Sequence, residues 1–324
     1  MMMLGRRNAL LGLGGALLAP YAAAAQTAWP SQPLRIVVPF PPGALTDALG
    51  RMVGERLQAA FGQSVVVDNK PGAGTQIGAA YAAKQPADGY TLLVATSTTL
   101  GIVPALYATP LISIADFAPV AMLGYVTFFL VARPDLPAQD PAALAALLRA
   151  KPDGYSYGSP GAGTAHHLLV ELIKTREGVK ATHVPYQGSA KALIDLVEGR
   201  LDFMFLDASV ALPQLAAGKI KALAVTGSRR HRTAPDVPAL TEFYPGLDLQ
   251  AWQSIVAPAG TPPSIAGKLN AAINKALMER DFMARLQAVG VDATPLTVAM
   301  FDDLIRRDAG RWAELVKLSG ARAE

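Results

Sequence analysis

The chain has 324 residues, 51% of them hydrophobic and 17% charged, a balance that excludes a disordered protein and suits two domains of ordinary size. Its formal charge of +4 falls to +2 once Arg6 and Arg7 are set aside, and no stripe of Lys and Arg is present to mark a nucleic-acid binder. Without a single cysteine, disulfides, thiol catalysis, iron–sulfur clusters, Cys-ligated zinc and a lipid-modified N-terminal cysteine are all ruled out.

The first 25 residues have the three parts of an export signal. Arg6-Arg7 form the basic region, Ala9 to Ala19 the apolar region, and Ala23-Ala24-Ala25 a small-residue cleavage site before Gln26. The apolar run is shorter than the roughly 20 residues of a membrane span, so cleavage is expected and the mature protein is placed in the periplasm. The arginine pair leaves both the general and the twin-arginine export routes open.

Leu34 to Val38 reads as a buried parallel strand that stops at Pro39-Phe40-Pro41-Pro42-Gly43. A helix opening at Thr46 and running from Asp47 to Phe61 follows, with Ala48, Leu49, Met52, Val53, Leu57 and Ala60 as its apolar stripe and Gly62 as its stop. Val65 to Val67 is a second strand, Ile77 to Ala83 a short helix and Tyr90 to Ala95 a third strand ending in Thr96-Ser97-Thr98-Thr99. Val120 to Ala132 is a long extended stretch, taken as a crossover into a second domain. There helices at 141–150, 164–175, 189–198 and 210–217 alternate with strands at 155–157, 182–184, 203–205 and 222–225. A strand from Leu249 to Ala257 carries the chain back, and 264–286 and 297–318 are amphipathic helices. The expected architecture is α/β: two doubly wound lobes joined by two crossovers, with the cleft at the strand C-terminal ends. The boundaries are 1–25 for the signal, 26–126 with 251–324 for lobe 1, and 127–250 for lobe 2.

One internal echo stands out. Pro42-Gly43-Ala44-Leu45-Thr46 and Pro160-Gly161-Ala162-Gly163-Thr164 each join a strand to a helix through a Pro–Gly turn. If both turns face the cleft, two helix N-termini converge on it and suit a small carboxylate. Two ordinary capped loops would give the same pattern.

Asp47 is placed either on a ligand or in the first turn of its helix, where an acid is favoured anyway. His166 and His167, being adjacent, point about 100° apart on a helix and cannot chelate one metal from a single face, so no metal is expected; one of the two is placed near the cleft. Gly154-Tyr155-Ser156-Tyr157-Gly158 matches the nucleophile-elbow string, but Ser156 lies inside a strand rather than at a sharp strand-to-helix turn. Gly72-Ala73-Gly74 lacks the third glycine of a dinucleotide loop, and no cofactor is expected.

The chain resembles the Bug family, the extracytoplasmic solute-binding receptors of tripartite tricarboxylate transporters. The resemblance is carried by Pro39 to Asp47, Asp68 to Gly74, Ala87 to Leu93, Tyr157 to His167, His183 to Gly188, Leu196 to Phe205, Ile220 to Arg230, Trp252, and Ala257 to Pro262. It implies a type II periplasmic binding fold, no enzymatic activity, and capture of a di- or tricarboxylate, amino acid or aromatic acid for a membrane permease. By position it implies ligand contacts from Phe40, Gly43, Ala44 and Thr46, then Ser97 and Thr98, then Ser159, Thr164 and Ala165, with Tyr186 and Asp207 as further candidates. His166 and Asp47 complete the candidate set, and a monomer is expected. The sequence departs from the family pattern at Ala44, where a second glycine is usual, and at Thr75-Gln76, where Gly-Asn is usual. An alanine at a position needing positive φ would cost energy. Two alternatives stand beside this reading: a ligand-sensing receptor for a sensor kinase, and an exported hydrolase using Ser156.

Overall fold

The computed structural model describes residues 29–247 and 250–321; the expected export signal at 1–25 and the expected strand residue Leu249 lie outside the described residues. In chain order the elements are β1 (Leu34–Val38), α1 (Leu45–Phe61), β2 (Val65–Asn69), α2 (Gln76–Ala83), β3 (Thr91–Thr96), α3 (Val103–Leu106) and β4 (Phe117–Val126). The second lobe holds β5 (Phe128–Ala132), α4 (Pro141–Ala150), β6 (Ser156–Ser159), α5 (Ala165–Glu177), β7 (Thr182–Pro185), α6 (Ser189–Val197), β8 (Phe203–Asp207), α7 (Ala208–Ala216) and β9 (Lys221–Val225). The chain then returns through β10 (Ala251–Pro258) to α8 (Pro263–Leu277), α9 (Arg280–Ala288), β11 (Val291–Ala293) and α10 (Val298–Ser319).

Two sheets form, in the orders β2-β1-β3-β10-β4-β11 and β7-β6-β8-β5-β9. Their cores are the apolar runs read from the sequence: Ile36, Val37 and Val38 in one sheet and Phe203, Met204 and Phe205 in the other are buried, as strands covered by helices on both faces require. The sheets are mixed rather than wholly parallel. β10 runs antiparallel to both β3 and β4, and β5 antiparallel to β8 and β9. Both strands belong to the crossovers.

The extended stretch Val120 to Ala132 is two strands with Thr127 between them, each pairing in a different sheet. The hinge is held from both sides: Thr127 N–H donates to Gly290 O at 3.4 Å, and Phe128 N–H to the Thr226 hydroxyl at 2.9 Å. The expected helix 264–286 breaks at Met278–Glu279 into α8 and α9, and the three-residue β11, with no apolar run to announce it, adds an edge to the first sheet. α10 also reaches the other lobe, where the Thr175 hydroxyl of α5 donates to Ser319 O at 3.0 Å.

Asp308 of α10 fixes this third link. Its Oδ2 accepts from the indole N–H of Trp252 on β10 at 2.5 Å and from that of Trp312 at 2.9 Å, and both rings are buried. Removing the carboxylate strands two donors, each worth about 1–3 kcal/mol when left unsatisfied. Asp308→Ala is expected to lower the free energy of unfolding by about 2–4 kcal/mol in urea titrations, and Asp308→Asn, which keeps an acceptor oxygen, by distinctly less.

Candidate functional site: a chamber between two helix N-termini

The first turn bends at Gly43, whose φ of +81° is readily adopted only by glycine. Ala44 follows at φ −73°, ψ 161°, an ordinary extended conformation. The alanine in place of a second glycine therefore carries no backbone penalty. α1 begins at Leu45 with Ala44 as N-cap, earlier than the sequence suggests, so Thr46 lies in the first turn rather than capping it. Asp47 does the holding instead: its carboxylate accepts from Gly43 N–H at 3.0 Å, from Asn69 Nδ2 at 2.9 Å and from Arg51 Nε at 3.0 Å. Burial pushes this carboxyl up, but those three donors together hold it below the usual carboxylate range. Asp47 is committed to the loop, and its acid side chain is a scaffold.

The second turn is built differently. Thr164 caps α5, its hydroxyl donating to Gly161 O at 2.8 Å and accepting from His167 N–H at 3.4 Å. Ser159 donates to Gly161 O at 3.0 Å and accepts from Gly161 N–H at 3.2 Å, so its hydroxyl serves the turn. Gly163 has φ +77°, and a Cβ there would stand 2.6 Å from Cδ2 of Leu106 in the other lobe. Glycine is thus needed both for conformation and for closure.

Between the turns lies a chamber of about 50 Å³. Lobe 1 contributes Phe40, Ala44 and Thr46, then Ser97 and Thr98 after β3; lobe 2 contributes Thr164, Ala165, His166 and Asp207. Of the candidates, Gly43, Asp47, Ser159 and Tyr186 stand outside this lining; Tyr186 borders an adjoining vestibule and bonds Asp195 at 2.5 Å. The lobes meet across the chamber where Ala165 N–H donates to the Thr98 hydroxyl at 3.1 Å. Ala44 N–H turns back to Pro41 O at 3.3 Å. The α1 donors without an intrahelical acceptor are those of its first turn, Thr46 among them, and on α5 the corresponding open donor is His166 N–H.

Several side chains around the chamber have no partner. Ser97 Oγ, His166 Nε2 and Gln253 Oε1 are buried without a hydrogen bond among the described residues. The nearest carboxylate oxygen to His166 Nε2 is Asp207 Oδ1, at 3.6 Å. Buried polar atoms are nearly always satisfied, and three of the seven such orphans among the described residues belong to side chains lining this one chamber. Gln253 was not foreseen: it follows Trp252 on β10, and its strand alternation gave no hint that this return strand borders the cleft. Nor was the π-helical turn at Thr98–Ile102, which swings Ser97 and Thr98 toward the second lobe.

A larger cavity of about 640 Å³ lies on the far side of the hinge, lined by Thr127, Gln250 and Arg229 to Thr233. Thr127 and Gln250 face it while their neighbours Phe128 and Ala251 face the chamber, as alternation along extended chain demands. None of the buried orphan atoms lines it. Ser156 is remote from both, its hydroxyl 3.4 Å from Asp202 Oδ2 and from Arg200 O. Among the described residues no group of three acidic, cysteine or histidine side chains is placed to hold a metal.

Behind the second turn, buried Tyr157 and His167 and half-buried His183 form a stack, the two imidazoles 4.0 Å apart and 9° from parallel. Gly163 N–H donates to His167 Nδ1 at 3.2 Å, so that nitrogen carries no proton. The 2.7 Å contact between Ser159 Oγ and His183 Nε2 ties the second ring to the same turn. Both rings therefore brace the turn as neutral imidazoles. Burial lowers both: His183 to about 3, helped by His167 and Lys174, and His167 less far because Glu171 opposes the shift.

Two α/β lobes hinged by crossover strands, with an anion-suited chamber between helix N-termini, define a solute-binding protein of the periplasmic type. The chain belongs to the tripartite tricarboxylate transporter receptor family, whose model (TctC) matches residues 49–320. It is 36% identical over 317 residues, 97% of this chain and 94% of the relative, to the UPF0065 protein of the tcbD–tcbE intergenic region in Pseudomonas sp. strain P51. BugT of Bordetella pertussis is 34% identical over 323 residues, 98% of each chain. Among solved structures, an R. palustris protein with adipate aligns at a TM-score of 0.86 and 34% identity, covering 91% of this chain and 99% of that one. MatC of Rhodopseudomonas palustris with bound malate aligns at 0.83 and 32% identity, covering 89% and 100%.

The neutral stack gives acid sensitivity a definite window. A histidine with a depressed folded pKa contributes stability that is complete above its unfolded value near 6.5 and is lost as pH falls toward the folded value. Melting temperature should therefore drop progressively from pH 6.5 toward pH 4, above the range in which Asp47 titrates. His183→Gln, with an amide left to meet Ser159, should flatten that part of the profile in calorimetry; an unchanged slope would assign the sensitivity elsewhere.

Proposed function

We propose that this protein captures a small organic carboxylate between its lobes in the periplasm and delivers it, as a monomer in the closed form, to the membrane permease of a tripartite transporter. The observation carrying this reading is the trio of buried unpartnered atoms, Ser97 Oγ, His166 Nε2 and Gln253 Oε1, around a chamber flanked by two helix N-termini. Family membership and the adipate- and malate-bound neighbours support it. So does the N-terminal Arg6-Arg7, apolar run and Ala23-Ala24-Ala25, read as a cleaved export signal. In this reading the ligand carboxylate accepts from the open first-turn N–H groups near Thr46 and His166 and from the hydroxyls of Thr46, Ser97 and Thr98. Asp207 and Gln253 supply acceptors for a hydroxyl or amine on the same ligand. In this reading the lobes are 26–126 with 251–324 and 127–250, a division supported by the membership of the two sheets.

Thermal-shift screening across mono-, di- and tricarboxylates tests the reading, since a ligand at a hundredfold excess over Kd stabilises by about 2.7 kcal/mol. Ser97→Ala separates binding from folding by sign. It removes a buried unsatisfied hydroxyl, so the ligand-free protein should melt no lower than the parent. It also removes a donor to a desolvated carboxylate, so Kd by calorimetry should rise about tenfold or more. A protein that no organic anion stabilises would sink the proposal.

A further inference from the structure

The chamber is the smaller part of a continuous space: its 50 Å³ is a fraction of the 340 Å³ found just outside it. That outer space is a vestibule that shares Phe40, Pro160, Thr164 and Gly188 with the chamber. Its volume falls at the low end of small-molecule sites. No Lys, Arg, Asp or Glu lines it, and its walls include Pro41, Pro71 and the rings of Tyr107 and Tyr186. Both tyrosine hydroxyls are already engaged, Tyr186 with Asp195 and Tyr107 with Gln76.

One side chain in this wall is anomalous. Thr75 is 2% exposed, and its hydroxyl is buried without a hydrogen-bond partner. It precedes α2 in the N-cap position, yet caps nothing, because φ is +92°. A β-branched residue at positive φ is a backbone outlier costing on the order of 1–3 kcal/mol, and such outliers cluster at ligand clamps. It is also the position where the family pattern noted above carries glycine, which would sit there without strain.

We propose that Thr75 is the specificity-determining residue of a distal subsite, and that the ligand is a carboxylic acid with an apolar middle and an acceptor oxygen at its far end. This rests on the carboxylate reading given above. The head group occupies the chamber, the apolar middle lies against Phe40 and the proline and tyrosine walls, and the far oxygen accepts from the Thr75 hydroxyl. A hydroxyl and a second carboxylate offer the same acceptor chemistry.

Titration calorimetry on the exported, processed chain with propionate, hexanoate, 6-hydroxyhexanoate and adipate tests each part. Hexanoate should bind about tenfold or more tighter than propionate, since each buried methylene strengthens binding. At least one of the two longer acids with a far oxygen should exceed hexanoate by about fivefold, the worth of one hydrogen bond, and which one does identifies the oxygen as hydroxyl or carboxylate. Thr75→Val, with the same shape and no hydroxyl, should bring that ratio to about one. Thr75→Gly should do the same while raising the melting temperature, because it relieves the backbone. The subsite is overturned if hexanoate binds no tighter than propionate, if neither oxygenated acid exceeds hexanoate, or if the ratio survives in Thr75→Val. Should the valine variant not fold, the ranking on the parent chain decides. Equal binding of propionate and hexanoate refutes the subsite alone; no binding by any of the four acids, with the parent chain also unshifted by every other mono-, di- and tricarboxylate, refutes the carboxylate reading as well.

Discussion

Everything in this molecule depends on two helix N-termini brought face to face across a narrow gap. Each end presents backbone donors without intrahelical acceptors and a positive dipole end. Facing ends of like sign repel slightly on their own and are drawn together by an anion between them. The closing contact, Ala165 N–H to the Thr98 hydroxyl, uses one donor of one lobe and one oxygen of the other. The other first-turn donors, Thr46 N–H and His166 N–H among them, belong to residues that line the gap. The sheets exist, in functional terms, to hold those ends at the right separation, and the crossovers and α10 set how they can move.

The two ends are stiffened by different chemistry. At the first, a single carboxylate, Asp47, gathers Gly43, Asn69 and Arg51, so the turn is fixed by a charged hub. At the second, neutral hydroxyls and imidazoles do the work, with His167 holding Gly163 and His183 holding Ser159. An anion arriving at the cleft therefore meets one end whose negative charge is already spent on its own loop and one end whose nearest charges, Glu171 and Lys174, are paired with each other behind the imidazoles. Both arrangements keep full negative charges off the donor tips. Asp207 is the exception, and its neighbour at 3.6 Å is the unpartnered His166.

Much of this was legible in the sequence. The apolar runs at Leu34 to Val38 and Phe203 to Phe205 are strands because they bury on both faces, and the paired Pro–Gly turns mark where the lobes converge. What could not be read was which polar atoms had already found partners. Ser159 and Ser97 look alike in sequence, yet the first is consumed by its own turn and by His183, and the second is bonded to nothing. That difference is set by residues 24 positions away in one case and by a π-helical turn in the other. Gln253 was hidden because β10 pairs antiparallel in the middle of the first sheet, a placement that strand propensity does not encode. Ala44 illustrates the reverse: it looked costly as a departure from glycine, and its φ of −73° shows that the bend needing glycine is one residue earlier.

The unpartnered atoms also bear on how the lobes open and close. Burying a polar group without a hydrogen bond costs about 1–3 kcal/mol, so three of them raise the closed form by several kcal/mol when nothing bonds to them. In the reading proposed above, parting the lobes returns the same atoms to water. Moving a two-state equilibrium from 1:99 to 99:1 requires about 5.5 kcal/mol of differential affinity, which is the scale these three groups supply once a ligand satisfies them. In that reading the ligand closes the lobes because only the closed geometry lets one molecule meet donors and acceptors from both at once. A receptor built this way has no need of a strong closing contact of its own, and among the described residues the direct hydrogen bond across its chamber is accordingly a single neutral one, Ala165 to Thr98.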